Sequence, residues 1–150
     1  MPIEGAPPSG MRKESMFHRF IEHTADIRAE CEAPTFEGLL EEAARALYAV
    51  ALANVRNDGG ETRTVALDTR NREECLVRWL QELIFLLETE QFVAVRFAFD
   101  RNNGESLAIH ASGYRCTGAE RAREVKGATY HAIEIEHSES GWTARIVFDV

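Results

Sequence analysis

The sequence has few cysteines and no long apolar run, and each absence excludes a class of protein. Among its 150 residues only Cys31, Cys75 and Cys116 are cysteines, and they form no CxxC pair and no zinc-type spacing with histidine. No run of about 18 apolar residues is present, so we expect no membrane span. These features fit a cytoplasmic protein with reduced thiols, in which Cys31 and Cys75 are small buried hydrophobic residues.

Basic residues are also in short supply, and the known catalytic motifs are missing. The chain has 17 Lys and Arg against 25 Asp and Glu, a net charge of −8. This balance disfavours a broad nucleic-acid surface and is compatible with docking onto a basic protein partner. The GxSxG, Walker, GxGxxG, HExxH and EF-hand patterns do not occur. Sequence motifs therefore identify neither a catalytic centre nor a direct nucleotide site.

Composition divides the chain into two parts. Residues 1–15 are rich in Pro, Gly and Ser and contain no apolar segment of secretory length, so we expect a disordered leader. Residues 16–150 have the length and apolar content of one folded domain.

Apolar periodicity in the first half of this domain predicts three strands and two helices. Strands are expected at residues 17–21, 27–33 and 61–68, with Asp26 beginning the polar face of the second. Thr35 is the expected N-cap of a first helix, whose apolar residues recur at helical spacing as far as Val50. Asn71, with Glu74 three residues later, predicts the start of a second helix that runs to Glu88.

The last third of the chain is predicted to be mostly strand. Residues 92–100 and 105–113 form a hairpin across Arg101–Gly104, in which Asn-Gly accepts the positive φ of a tight turn. After a polar loop, residues 129–137 and 142–150 form a last hairpin. We therefore predict an α+β fold, with two helices packed on one mostly antiparallel, mixed β-sheet in a single domain.

Asp26 is the first candidate functional residue. It follows His23 at a strand-to-strand corner, where its carboxylate either caps backbone N–H groups of the turn or is a ligand of a cation. One carboxylate binds a cation poorly, so it needs partners. Asp149 and the carboxylate of Val150 would supply them if the last strand lies beside the second, and such oxygen donors suit calcium or magnesium.

The segment Glu124–His131 is the second candidate, with Lys126 and His131 near its two ends. One interpretation is a surface lysine and a hydrogen-bonded histidine within a strand. The other is a contact patch for an anion or for a protein partner.

Taken together, these segments resemble the archease family. The resemblance rests on Glu22-His-Thr-Ala-Asp26, the helix after Pro34-Thr35, and the helix containing Trp79-Leu-Gln-Glu-Leu83. It continues through the strand at Phe92, Glu124-Val-Lys-Gly-Ala-Thr-Tyr-His131 and the final Phe148-Asp-Val150, and covers about residues 17–150.

The resemblance implies a protein that is not itself an enzyme. Archeases activate the GTP-dependent RNA ligase that joins a 2′,3′-cyclic phosphate or 3′-phosphate end to a 5′-hydroxyl in tRNA splicing and RNA repair. They promote guanylylation of the ligase's active-site histidine, which allows multiple turnover. RNA would then be reached indirectly, through the ligase.

The resemblance also implies a metal site at Asp26, Asp149 and Val150, with calcium the ion usually assigned and magnesium or manganese as alternatives. His23, Lys126 and His131 are then candidate partner or anion contacts. Nucleotidyl transfer needs a divalent metal at the triphosphate, so an acidic tip on the activator would hold or deliver one.

Two other functions stay open at this point. An acidic surface without a catalytic motif also fits a chaperone-like modulator of an RNA-modifying enzyme, such as a tRNA methyltransferase. A small hydrolase using Asp26 and His131 is the third alternative.

Overall fold

The structure is a computed structural model that describes residues 16–22 and 26–150. The predicted leader, residues 1–15, and His23 lie outside these ranges. The helices and strands are β1 Phe17–Glu22, β2 Asp26–Ala33, α1 Phe36–Ala51, β3 Glu61–Asp68, α2 Arg72–Glu90, β4 Phe92–Asn103, β5 Ser106–Arg115, β6 Gly127–Ala128, β7 Glu134–Ser138 and β8 Gly141–Asp149.

The described strands form two sheets in which neighbouring strands are antiparallel. The larger sheet has the order β1-β2-β8-β6, and β7 pairs with a different part of β8 from β6; the smaller has the order β3-β5-β4. The predicted class, α+β with two helices on mostly antiparallel strands, is confirmed. The prediction of one mixed sheet is corrected in its count and its pairing, because the described strands are divided between two sheets and every pair is antiparallel.

Both helices begin at the side-chain caps that the sequence predicts. Thr35 Oγ1 accepts from the Gly38 N–H, and Asn71 Oδ1 accepts from the Glu74 N–H, each at 3.0 Å. These bonds satisfy N–H groups that have no partner within a helix. Helix α2 ends at Gln91 with a left-handed φ of 56°, and its N–H donates to the Leu87 carbonyl. Within the described residues, no helix is long and apolar enough to cross a membrane.

The core lies where the two helices meet the inner faces of the sheets. Trp79 on α2 is fully buried, and its indole Nε1–H donates to the Leu40 carbonyl of α1 at 2.8 Å, which ties the helices together. Cys31 and Cys75 are buried and unpaired, as expected. Burial raises the pKa of the Cys75 thiol to about 11 and raises that of Cys31 further, so both stay protonated at neutral pH.

One charged side chain is buried in the described part of the chain. Glu42 on α1 is 4% exposed. His18 Nδ1 contacts its Oε2, and Arg45 Nη1 donates to its Oε1 at 3.4 Å. A buried carboxylate is costly without such partners. The contact with His18 also links the edge strand β1 to α1.

The prediction of a continuous strand over residues 129–137 is wrong. Tyr130–Ala132 forms a 3-10 turn, and β7 begins at Glu134. Thr129 N–H donates to the Val147 carbonyl at 2.9 Å, and Ile133 N–H then closes the turn on the Tyr130 carbonyl. The chain therefore loops out between β6 and β7 before it pairs with β8 again, which places His131 in a turn.

The β4–β5 hairpin forms where predicted, but by a different turn chemistry. The glycines with positive φ among the described residues are Gly59 and Gly141, and Gly104 is not one of them. Instead, Asn103 Oδ1 accepts from the N–H groups of Glu105 and Ser106, at 2.8 and 3.1 Å. This side-chain-stabilised turn removes the need for a left-handed glycine.

Replacing Gly113 with alanine should destabilise the fold, because a Cβ there would lie 1.7 Å from the Val93 carbonyl oxygen. We expect Gly113→Ala to lower the free energy of unfolding by at least about 1–3 kcal/mol, as measured by urea denaturation. Gly104→Ala is the control, since its Cβ would meet no atom within 4 Å. Equal stability of the two variants would show that the close approach of β4 to β5 is not as described.

Candidate metal site at one end of the β2–β8 ladder

Asp26 and Asp149 are register partners at one end of the ladder between β2 and β8. Directly opposite residues of antiparallel strands point to the same face, with Cβ atoms about 4.5–5.5 Å apart. Their neighbours Ile27 and Phe148 are buried on the inner face, so the two aspartates share the outer face. The last strand therefore does lie beside the second, and the two carboxylates are brought together.

The electrostatics of this pair are unfavourable without a cation. Like charges directly opposite in a sheet repel. Asp26 Oδ1 is also buried and has no hydrogen-bond partner among the described residues, whereas buried polar atoms are usually satisfied. Asp149 is exposed, which leaves a route from solvent. An orphaned carboxylate oxygen beside a second carboxylate fits a bound divalent cation.

The start of β6 flanks the pair on the other side of β8. Gly127 is the register partner of Asp149, and the Lys126 N–H donates to the Asp149 carbonyl at 2.7 Å. The Lys126 side chain is exposed and forms no ion pair with any described residue. The structure thus places Lys126 beside the aspartates by its backbone. Val150 follows directly and packs against the core.

Of the other predicted contacts, His23 lies outside the described residues, and His131 is not grouped with the two aspartates. His131 is exposed in the 3-10 turn, with its ring 6.2 Å from that of Tyr130 in an edge-on contact. In residues 16–22 and 26–150, no three His, Cys, Asp or Glu side chains are grouped to hold a metal. Two carboxylates with backbone oxygens fall short of the 6–8 oxygens that calcium takes, so water or a partner protein would complete the shell.

Sequence reasoning missed the surface next to the aspartates. The outer face continues with Arg28 on β2, opposite Val147 on β8. Val147 is apolar at an outward position, and the run Ile146-Val147-Phe148 breaks the alternation of β8. That break is the signal that marks an apolar spot on an otherwise polar face.

Comparison with known proteins shows the family of this chain. Residues 18–150 match the Archease protein family (MTH1598/TM1083), and the chain belongs to that family. The archeases of Methanosarcina barkeri and Archaeoglobus fulgidus are 32% and 33% identical to it, over 93% and 90% of this chain, and the full length of each relative is covered.

Solved structures agree with this assignment. Protein 1598 of Methanobacterium thermoautotrophicum, solved in solution, aligns with a TM-score of 0.74 at 29% identity, covering 89% of this chain and 98% of that one. The crystal structure of an archease from Thermotoga maritima, described as a possible chaperone, aligns with a TM-score of 0.66 at 25% identity, covering 87% and 94%.

If Asp26 and Asp149 hold a divalent cation, calcium should stabilise the protein through both side chains. In excess chelator, Asp26→Asn and Asp149→Asn should melt no lower than the native chain, because each removes one of two repelling charges. Added calcium should raise the Tm of the native chain, by the equivalent of about 2.7 kcal/mol at 100 times Kd. Neither variant should respond. Differential scanning calorimetry measures both effects.

Glu139→Gln is the matched control for this measurement, since Glu139 is an exposed acid in the β7–β8 turn. Its response to calcium should equal that of the native chain. A calcium-induced shift that persists in both aspartate variants would place the ion elsewhere.

Proposed function

We propose that this chain activates the GTP-dependent RNA ligase of tRNA splicing and RNA repair. It promotes guanylylation of the ligase's active-site histidine and thereby allows multiple turnover. Membership of the archease family supports this role. The observation that carries the mechanism is the pair of facing residues Asp26 and Asp149, with one Asp26 carboxylate oxygen buried and without a hydrogen bond among the described residues.

In this proposal Asp26 and Asp149 are the side-chain ligands of a divalent cation, calcium or alternatively magnesium or manganese, and Val150 adds a further oxygen from its backbone. When bound, the cation supplies positive charge that can neutralise a triphosphate. Lys126, held beside Asp149 by its backbone bond, contacts an anion or an acidic group of the ligase. His131, on the neighbouring turn, and His23 are further partner contacts.

The chain acts as a protein cofactor and not as an enzyme in its own right. The register places Asp26 against Asp149, while His131 lies in the turn that precedes β7. The aspartate pair is therefore better suited to holding a cation than to serving as half of an Asp–His hydrolytic pair. We place the activity in the cytoplasm, where the ligase and its RNA substrates are handled.

A chaperone-like modulator of an RNA-modifying enzyme, such as a tRNA methyltransferase, is the second candidate. The description of the Thermotoga maritima archease as a possible chaperone favours it. The two functions differ in their need for the aspartate pair. General stabilisation of a client enzyme does not depend on a bound cation, whereas activation by the mechanism above does.

Guanylylation of a cognate ligase with labelled GTP tests the proposal. Substoichiometric amounts of the native chain should accelerate labelling, and Asp26→Asn and Asp149→Asn should reduce the stimulation at least about tenfold, because they remove ligands of the ion. Glu139→Gln should stimulate like the native chain. Full stimulation by both aspartate variants would exclude a role for the carboxylate pair.

Suppression of client aggregation, measured by light scattering, separates the two candidate functions further. Asp26→Asn and Asp149→Asn should leave this suppression unchanged, because general stabilisation of a client needs no bound ion, while stimulation of the ligase falls. Loss of both activities in variants that fold like the native chain would contradict a role of the ion specific to activation.

A further inference from the structure

A notch of about 340 Å³ opens on the outer face of the β2–β8 ladder, close to the two aspartates. Its lining includes Arg28, Glu30, Ala132, Glu134, Arg145 and Val147. It forms because β6 pairs with β8 at Phe148 and β7 pairs with it from Arg145 onward, while the 3-10 turn loops out between them.

Three pairs of residues lie in line along this face. Glu30 faces Arg145, Arg28 faces Val147, and Asp26 faces Asp149. Each step is two residues along a strand, about 7 Å. The aspartate pair therefore lies about 7 Å along the sheet from Arg28 and Val147, and about 14 Å from Glu30 and Arg145.

The charges along this line are unequal. Arg145 is held by Glu134 at 3.0 Å and by Glu30 at 3.6 Å, so its charge is balanced within the notch. Arg28 is exposed and forms no ion pair or side-chain hydrogen bond with the described residues. A divalent cation would be neutralised by the two aspartates but would keep open coordination positions for phosphate oxygens, next to the positive charge of Arg28.

The floor and the turn side of the notch are apolar. Val147 is 8% exposed at its base, and Ala132 closes one side. Two residues earlier, Tyr130 is 46% exposed on the same turn. A flat heteroaromatic ring attached to phosphates matches this face, because the apolar surface accepts the ring while Arg28 and the bound ion accept phosphate oxygens.

We propose that this face binds a nucleoside triphosphate together with its divalent cation. The base lies over Val147 and Ala132, and the phosphates run past Arg28 to the ion held by Asp26 and Asp149. This inference rests on the cation site of the proposed function and adds a direct nucleotide contact to it. Charge complementarity favours this occupant over an apolar side chain of a protein partner, which would leave Arg28 without a counter-charge.

Binding of a fluorescent nucleoside triphosphate, followed by anisotropy in magnesium without any ligase, tests the proposal. The native chain should bind it. Arg28→Ala and Ala132→Glu should each weaken binding at least about tenfold, the first by removing a charged donor and the second by adding bulk and negative charge. Both residues are exposed, so folding should be preserved. Arg78→Ala, at an exposed arginine of α2, should bind like the native chain.

Two further measurements decide between occupants. Inorganic tripolyphosphate should compete more weakly than the nucleotide, and equal competition would show that the notch does not receive a base. The calcium-induced rise in Tm should be the same in Arg28→Ala and Ala132→Glu as in the native chain, because the aspartates are untouched.

The failures of the two proposals are distinguishable. A native chain that takes up calcium and stimulates the ligase but binds no nucleotide would overturn this inference and leave the proposed function intact. If Ala132→Glu then abolished binding to the ligase, the notch would be a protein-docking site instead. Absence of cation uptake would remove both proposals.

Discussion

The antiparallel register between β2 and β8 is the constraint on which the account of this protein depends. It joins a strand from near the start of the domain to the last strand, and it sets Asp26 opposite Asp149. A shift of one residue would move every side chain to the opposite face. The burial of Ala29 and Cys31 on β2, and of Ala144 and Ile146 on β8, fixes the register because each must face α1 and the core.

That register has an electrostatic cost that points to function. Two carboxylates face each other at an end of the sheet, and one Asp26 oxygen is buried without a hydrogen bond. Elsewhere in the described chain, many charged groups have partners of opposite charge: buried Glu42 has His18 and Arg45, and Arg63 has Glu90. Two like charges that face each other, with a buried oxygen that has no partner, are a feature expected at functional sites.

The parts of the fold that sequence reasoning predicted are those controlled by local chemistry. Thr35 and Asn71 cap their helices because side-chain oxygens bond the first free N–H groups wherever a helix begins. The alternation of residues 27–33 predicted a half-buried strand, because its period reports burial on one face. The sequence also predicted that Asp26 and Asp149 would meet, on the condition that the last strand lies beside the second.

The parts that sequence reasoning missed depend on tertiary contacts. Residues 129–137 have a strand-like composition, yet β8 is paired by β6 at one end and β7 at the other, so the intervening chain forms a turn. The notch beside Arg28 arises from that turn. The only local sequence pattern that indicated it is the apolar Val147 at an outward position of β8. At Gly104, Asn103 stabilised the hairpin by its own side chain and made the positive φ unnecessary.

The central claim is that Asp26 and Asp149 share one divalent cation. The most direct measurement is anomalous diffraction at long wavelength from crystals grown with calcium. We expect one peak at about 2.3–2.6 Å from a carboxylate oxygen of each aspartate. A map with no peak between these two side chains, at a calcium concentration that saturates the thermal shift, would contradict the claim.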